Sequence, residues 1–429
     1  MVQDLAGKRL LILGGNYVDK KLIYAAKRLG VITYITDINS IDRSPAKIIA
    51  DHKYEYNSAD IDAIINLCRR EKIDGVLSLY HDFSQTPCRI ICEKLGLPHF
   101  GNASQYAILT NKILFKQFCE TSGLGTIPYY GEKDFSAENS GVKYPVIVKP
   151  CDGRGSKGQS ICNSRDEVLK AFEFAKGFSH LNEVVIEEYL GNKNDLELAY
   201  IVIDGEPVLV KIGDRYLGNK SNGLDKTCIA AIYPSRYEKF YREKINSKVV
   251  EGLRKLNLVN APIFVQGFFC GDTVKFYDPG IRLPGDDFDE GYKCITGIDV
   301  PEIFIRFALT GKFPQQSAKR IKTLIIGNFD KYMAMILPAV STGKIHSIRG
   351  IEEIAKNPNI VSFATFYREG DTVGIFNDSR QRFAEFIIVG DSIRQLKEII
   401  TWLFDTLKVF DSNGNDMLTA KFDVKLLDD

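Results

Sequence analysis

A multidomain chain of α/β and α+β character is predicted, and two features of the sequence carry the prediction. Residues 9 to 110 alternate strand-like and helix-like segments, and the strand YPVIVKP, Tyr144 to Pro150, opens into a loop rich in glycine and cationic residues. At 429 residues the chain exceeds one ordinary hydrophobic core.

The alternation is read segment by segment. RLLILGG ends a strand at Gly14 and Gly15, KKLIYAAKRLG is helical with a stop at Gly30, and VITYITD is a strand ending on Asp37. IDAIINLCRREK and DGVLSLYHD repeat the pattern, and QTPCRIICEKLGLP adds a helix before a further short strand. Strands separated by helices of this length imply a parallel, doubly wound, Rossmann-like sheet over residues 1–110. Gly14, Gly15 and Asp37 resemble part of a dinucleotide fingerprint, but no G-x-G-x-x-G opens the helix. A structural role with the crevice facing an active site is expected instead.

Past residue 110, TNKILFKQFCETSGLG reads as an amphipathic helix with Lys112 in its first turn and a stop at Gly123. In YPVIVKPCDGRGSKGQSI the β-branched run suits a buried strand, and Lys149 at its end is expected to face out of the sheet edge. Gly153, Gly155 and Gly158 permit positive φ and close approach of N–H groups to an anion, while Arg154, Ser156 and Lys157 add cationic and hydroxyl groups. That is a phosphate lid in composition, but no GKS or GKT of a Walker A loop is present.

A helix around DEVLKAFEFAKGF, the segment VVIEEYL and a hairpin turning at Asp204 and Gly205 follow. Another helix spans Ile245 to Leu258, and FVQGFF and TVKFYD then flank the tight turn CGD. This stands Gln266 beside Asp278 on one sheet face. An acid beside an amide oxygen suits a hard cation, because Mg²⁺ takes one or two protein oxygens plus substrate phosphates. Beyond residue 310, IKTLIIG, YMAMILPA and FAEFIIVG read as strands and IRQLKEIITWLFDTL as a helix. His346 is expected at the surface.

Composition sets outer limits. The net charge of +1 gives no general attraction to nucleic acid or an anionic membrane. Nine cysteines, scattered and without CxxC pairs, fit a reducing cytoplasm better than a disulfide framework. The N-terminus lacks the apolar length of a signal peptide, so a cytoplasmic protein is expected.

With Lys112 in a helix, VIVKP, the glycine lid, IEEYL and FYDPGIRLPG in that order, the chain resembles the ATP-grasp superfamily over nearly its whole length. Within it the chain is similar to biotin carboxylase, carbamoyl phosphate synthetase halves and L-amino acid ligases. The resemblance implies a pre-ATP-grasp domain at 1–110 and an ATP-grasp core at 111–310 with a small lid subdomain at about 127–195. It also implies a C-terminal lobe at 311–429 that completes the ATP-grasp domain.

It further implies ATP with one or two Mg²⁺ ions, or Mn²⁺ in their place. Lys112, Lys149 and the lid from Gly153 to Gly158 would contact phosphates. Glu187 would accept from the adenine amino group, with Glu188, Tyr189 and Leu190 along the adenine edge, and Asp195 or Glu197 would hold the ribose. Gln266 and Asp278 would hold metal, and Lys211, Arg215 and Arg282 would act on the reacting groups. Where the family commonly shows E-x-N-P-R, this chain has Asp278, Pro279, Gly280, Ile281 and Arg282, which shortens the acid and removes the asparagine.

The implied reaction activates a small carboxylate as an acyl phosphate for attack by an amine, in a monomer or a homodimer. Two rivals are a bicarbonate-using carboxylase or carbamoyl-phosphate-synthase-like enzyme, and a weakly catalytic nucleotide-binding protein of a biosynthetic cluster.

Overall fold

The computed structural model describes residues 5–135, 141–153, 155–191, 194–219, 223–325, 327, 329–376 and 378–428. Arg154, expected in the phosphate lid, lies outside them.

Strands β1 (Arg9–Leu13), β2 (Ile32–Thr36), β3 (His52–Tyr54) and β4 (Gly75–Leu77) form a parallel sheet of order β3-β2-β1-β4. The β-branched and leucine-rich β1 is almost wholly buried, as a central parallel strand must be. The chain reverses its direction of winding between β1 and β4, and the crevice at their carboxyl ends opens there. A Cβ on Gly15 would fall 1.7 Å from Oδ2 of Asp37, so glycine is needed at that turn. Asp37 itself accepts from Ser44 at 2.6 Å and pairs with the buried Lys47 at 2.9 Å, which makes it a structural acid. The short strand expected after the helix Asp82–Leu95 does not form.

Strands β5 (Gly125–Thr126) and β6 (Tyr129–Tyr130) come next, and they diverge into different sheets. A small antiparallel sheet of order β6-β9-β7-β8 joins β6 to β7 (Val146–Pro150), β8 (Ser160–Cys162) and β9 (Val184–Glu188). The helix Arg165–Lys176, capped by Ser164, covers it.

The large sheet joins β5 to most of the remaining strands, and the short strands between Ala339 and Ala420 that it leaves out pair two by two. Its strands are β10 (Asp195–Ile203), β11 (Glu206–Leu217), β12 (Cys228–Tyr233), β13 (Asn260–Phe269), β14 (Val274–Gly280), β15 (Tyr332–Ile336), β16 (Ile360–Thr365) and β17 (Ala384–Gly390). They stand in the order β16-β17-β15-β12-β11-β10-β13-β14-β5. One hydrogen-bonded ladder therefore crosses the boundary expected at residue 310, since β15 pairs with β12. Ile321 to Thr323, read as the start of a strand in IKTLIIG, instead end the helix Gln315–Thr323. Among the described residues no helix is long and apolar enough to cross a membrane.

Candidate functional site

The site grows from three local patterns. The first is helical spacing. The helix Lys112–Ser122, capped by Asn111, places Lys112 and Lys116 one turn apart on its buried face. Lys112 Nζ donates to the Gly153 carbonyl at 2.7 Å and pairs with Asp278 at 2.8 Å, while Lys116 pairs with Glu187 at 2.7 Å.

The second is cross-strand register in the small sheet. Glu187 stands opposite Ile147 and Lys149 opposite Val185, so the two charged side chains are diagonal neighbours on one face. They form a buried ion pair, and Lys149 is only 3% exposed rather than facing out of the sheet edge. Its ammonium also sits 4.9 Å from the centre of the Tyr277 ring. Burial, reinforced by Lys116 and Lys112 nearby, pushes the Lys149 ammonium below its ordinary range. Burial acts on Glu187 in the opposite sense, yet Lys149 and Lys116 together hold its carboxyl below the usual value.

The third is the row of acids and cations across the large sheet. Glu197, Gln266 and Asp278 face one another in adjacent positions of β10, β13 and β14, which is the side-by-side placement the hairpin predicts for Gln266 and Asp278. Asp195 pairs with Arg215 of β11 at 2.6 Å and accepts from the Tyr277 hydroxyl at 2.9 Å. Burial pushes its carboxyl up to about 6, against the pull of Arg215 and Tyr277. Glu197 holds Lys211 and accepts from the Tyr233 hydroxyl at 3.0 Å. The Tyr233 ring reaches it because position 213 is glycine, where a Cβ would fall 2.0 Å from the ring.

These groups surround a cavity of about 600 Å³. Sixteen of the residues read from the sequence line it: Lys112, Lys149, Gly153, Gly155, Ser156, Lys157, Glu187, Glu188, Tyr189, Leu190, Asp195, Glu197, Arg215, Gln266, Asp278 and Arg282. Two do not. Lys211 lies behind the wall with a fully buried side chain, held between Glu197 and Asp286. Gly158 turns with φ +70° against Phe178. In the lid, positive φ occurs at Gly155, Ser156 and Gly158 but not at Gly153, whose lack of a side chain instead makes room for Pro150.

Arg282 is held by Asp82 of the first sheet's crevice and lies 4.6 Å from the centre of the Phe264 ring. A second cavity, of about 750 Å³, fills that crevice and shares Asp82, Lys112, Gly153, Asp278 and Arg282 with the first.

Sequence reasoning missed Lys116, Asp286, Arg382 and Glu385. The helical spacing from Lys112 would have flagged Lys116. The others come from loops and a strand whose approach to the cavity only the tertiary fold determines. Glu385 accepts from the Tyr17 hydroxyl and from the Asp287 N–H at 2.7 Å. Burial, then Asp287 and Asp286, push its carboxyl up to about 8.

As a cation site the wall offers the Asp278 carboxylate beside the Gln266 amide, with Glu197 next to Gln266 held by Lys211. No cluster of three or more His, Cys, Asp or Glu that could hold a metal occurs among the described residues. That donor set fits a hard cation completed by substrate phosphates.

Two family models match the chain. One is the ATP-binding domain of the carbamoyl-phosphate synthase L chain, over residues 125–260, and the other is the L-amino acid ligase C-terminal domain 2, over residues 335–410. The formate-dependent phosphoribosylglycinamide formyltransferase of Sulfurisphaera tokodaii is 24% identical over 317 residues, covering 70% of this chain and 78% of that protein. Among solved structures, L-amino acid ligase from Bacillus licheniformis superposes with a TM-score of 0.75 at 19% identity, covering 94% of this chain and 99% of that one. Biotin carboxylase from Campylobacter jejuni gives 0.73 at 16% identity, covering 98% and 95%. With the ATP-binding domain model laid over the lid and the strands of Glu187, Asp195 and Glu197, and with the same architecture recurring from end to end, the chain belongs to the ATP-grasp superfamily.

Proposed function

We propose that the protein is an ATP-dependent carboxylate–amine ligase that passes through an acyl phosphate. The observation that carries this reading is the junction of two cavities at Asp82, Lys112, Gly153, Asp278 and Arg282. One is walled by the lid and the acids of the large sheet, the other by the first sheet's crevice, so two substrates can meet at one wall. The matches to the carbamoyl-phosphate synthase ATP-binding domain and to an L-amino acid ligase domain support it.

In this reading Lys112, Lys149 and the lid bind the phosphates of ATP. Glu187 and the backbone from Glu188 to Leu190 read adenine, and Asp195 or Glu197 takes the ribose. A carboxylate oxygen attacks the γ-phosphorus as ADP leaves. The amine then attacks the acyl carbon, phosphate departs and the nitrogen loses a proton. Arg215 and Arg282 offset the charge of the phosphoryl group in flight, where fixed cations act most strongly. A dry, covered cavity protects the acyl phosphate from water. Residues 1–110, 111–310 and 311–429 are the three units of this machine, and the cytoplasm, with its ATP, is the expected location for a monomer or homodimer.

A single Mg²⁺, or Mn²⁺, supplies further charge when bound at Asp278 and Gln266. Asp278 must then exchange Lys112 for the metal. Asp278→Asn is expected to raise the Mg²⁺ concentration for half-maximal turnover by about tenfold or more. A metal titration on both proteins checks it, and an unchanged midpoint assigns Asp278 to Lys112 alone.

The reading as a whole is tested by ADP and phosphate release across pairs of carboxylates and amines. Release that requires both supports the ligase. Release driven by bicarbonate alone favours the carboxylase.

A further inference from the structure

The cations on the cavity wall are mostly neutralised by the protein itself. Lys112 faces Asp278, Lys149 faces Glu187, Arg215 faces Asp195 and Arg282 faces Asp82. Lys157 and Lys226 belong to the lid and its contact strip, with Lys226 Nζ bound to the Gln159 carbonyl at 3.1 Å.

Arg382 is different. Its Nη2 donates to the Cys228 carbonyl at 3.0 Å, its Nε is buried without an acceptor, and no carboxylate pairs with it among the described residues. The nearby Asp378 is already taken, because Arg380 grips it with two nitrogens at 2.6 to 3.1 Å. The backbone around Arg382 is tied down on both sides. Its N–H bonds the Ser379 carbonyl at 3.2 Å, Phe383 N–H bonds the Pro338 carbonyl at 2.7 Å, and a β-bridge joins it to Ala339. Arg382 is thus a part-buried residue of the cavity wall on an anchored backbone, its guanidinium backed by one carbonyl.

Its surroundings select the anion. Leu217, Cys228, Met335 and Leu337 make this end of the cavity apolar, and Asp286 and Glu385 line the same cavity. One guanidinium without a carboxylate partner among apolar neighbours suits a small monoanion, whereas a triphosphate calls for several cations. We propose that Arg382 docks the carboxylate-bearing substrate of the ligase reaction, from the turn of the C-terminal lobe that meets the lid where Ser379 donates to the Gly155 carbonyl at 3.4 Å. This inference rests on the ligase reading, and it makes Arg382 a specificity-determining residue that sequence motifs do not reveal.

The test measures equilibrium binding to the full-length protein loaded with a non-hydrolysable ATP analogue. The probes are formate, bicarbonate, the L-α-amino acids and short mono- and dicarboxylates, with Arg382→Gln and Arg382→Lys compared against wild type. A carboxylate that binds wild type and loses about 30-fold or more in affinity in Arg382→Gln, with partial recovery in Arg382→Lys and unchanged affinity for the ATP analogue, supports the assignment. Equal carboxylate binding in all three proteins overturns it, as does a wild type that binds none of the probes. Loss of ATP-analogue affinity alone overturns it in favour of a phosphate contact. The ligase reading fails separately, when a carboxylate binds but stimulates no ADP formation with any amine.

Discussion

Lys149→Ala is expected to lower ATP turnover at least about 100-fold while leaving the protein folded. One fixed charge on a transferring phosphoryl group contributes on the order of 3 kcal/mol to transition-state stabilisation, which sets that factor. The fold should survive because Glu187 keeps Lys116 at 2.7 Å after Lys149 is gone. The buried cluster then passes from two cations and one anion to a balanced pair.

Glu187→Gln has the opposite signature. It leaves Lys116 and Lys149 facing each other without an anion, and an uncompensated buried charge costs about 3–5 kcal/mol. Steady-state ATP turnover and thermal unfolding measured on both variants separate the two roles. Near wild-type turnover in Lys149→Ala would remove that lysine from the nucleotide site.

The second large effect is on pH dependence, through Glu385. Its carboxyl is raised from an ordinary 4.5 to about 8, first by burial and then by Asp287 and Asp286. Between these values the folded protein holds a proton that the unfolded chain has released. Stability therefore falls as pH rises through that window and levels off above it. Each unit of displacement corresponds to about 1.4 kcal/mol, so the loss is on the order of a few kcal/mol, shared with the Tyr17, Lys21, Asp286 and Asp287 network around it.

Glu385→Gln keeps the shape and cannot ionise, so its stability should decline less between about pH 5 and about pH 9 than that of wild type. At the alkaline end the variant should be the more stable protein. Thermal unfolding midpoints of the two proteins across that range decide it. Parallel curves would show that Glu385 is ionised throughout.

Much of the fold was legible because it rests on periodicities of the chain. The β-branched strand before Lys149, the glycine stop at Gly123, the turn at Asp204 and Gly205 and the pairing of Gln266 with Asp278 are all local. IKTLIIG was misread for a physical reason. Its apolar run is short, and the helix that begins at Gln315 continues through Thr323 with only Ile321 buried.

The roster of cavity residues was readable from motif order, but the state of their charges was not. Lys211 and Arg215 share one face of β11, and nothing in the sequence says that one lines the cavity while the other lies behind it between the Tyr233 and Phe288 rings. Arg382 and Glu385 were invisible for a related reason. Their meaning comes from β17 lying beside β15, a pairing of strands some fifty residues apart that brings the C-terminal lobe to the cavity.

The division of strands between two sheets also limits how the molecule can deform. Only two stretches of chain join the small sheet to the large one: Ile127 and Pro128 between β5 and β6, and the connection from Glu188 to Asp195. Among the described residues no strand ladder spans the gap, so a swing of the small sheet as one piece would break no sheet hydrogen bonds. It is restrained by side-chain links such as Ser156 to the Lys226 carbonyl at 2.7 Å and Lys116 to Glu187. The large sheet has no such freedom, because its nine strands run unbroken from the ATP-binding region into the C-terminal lobe. Asp278 on β14 and Arg382, bridged to Ala339 just past β15, would therefore keep their separation if the small sheet swung, and a ligand held between them would be measured by a rigid gauge.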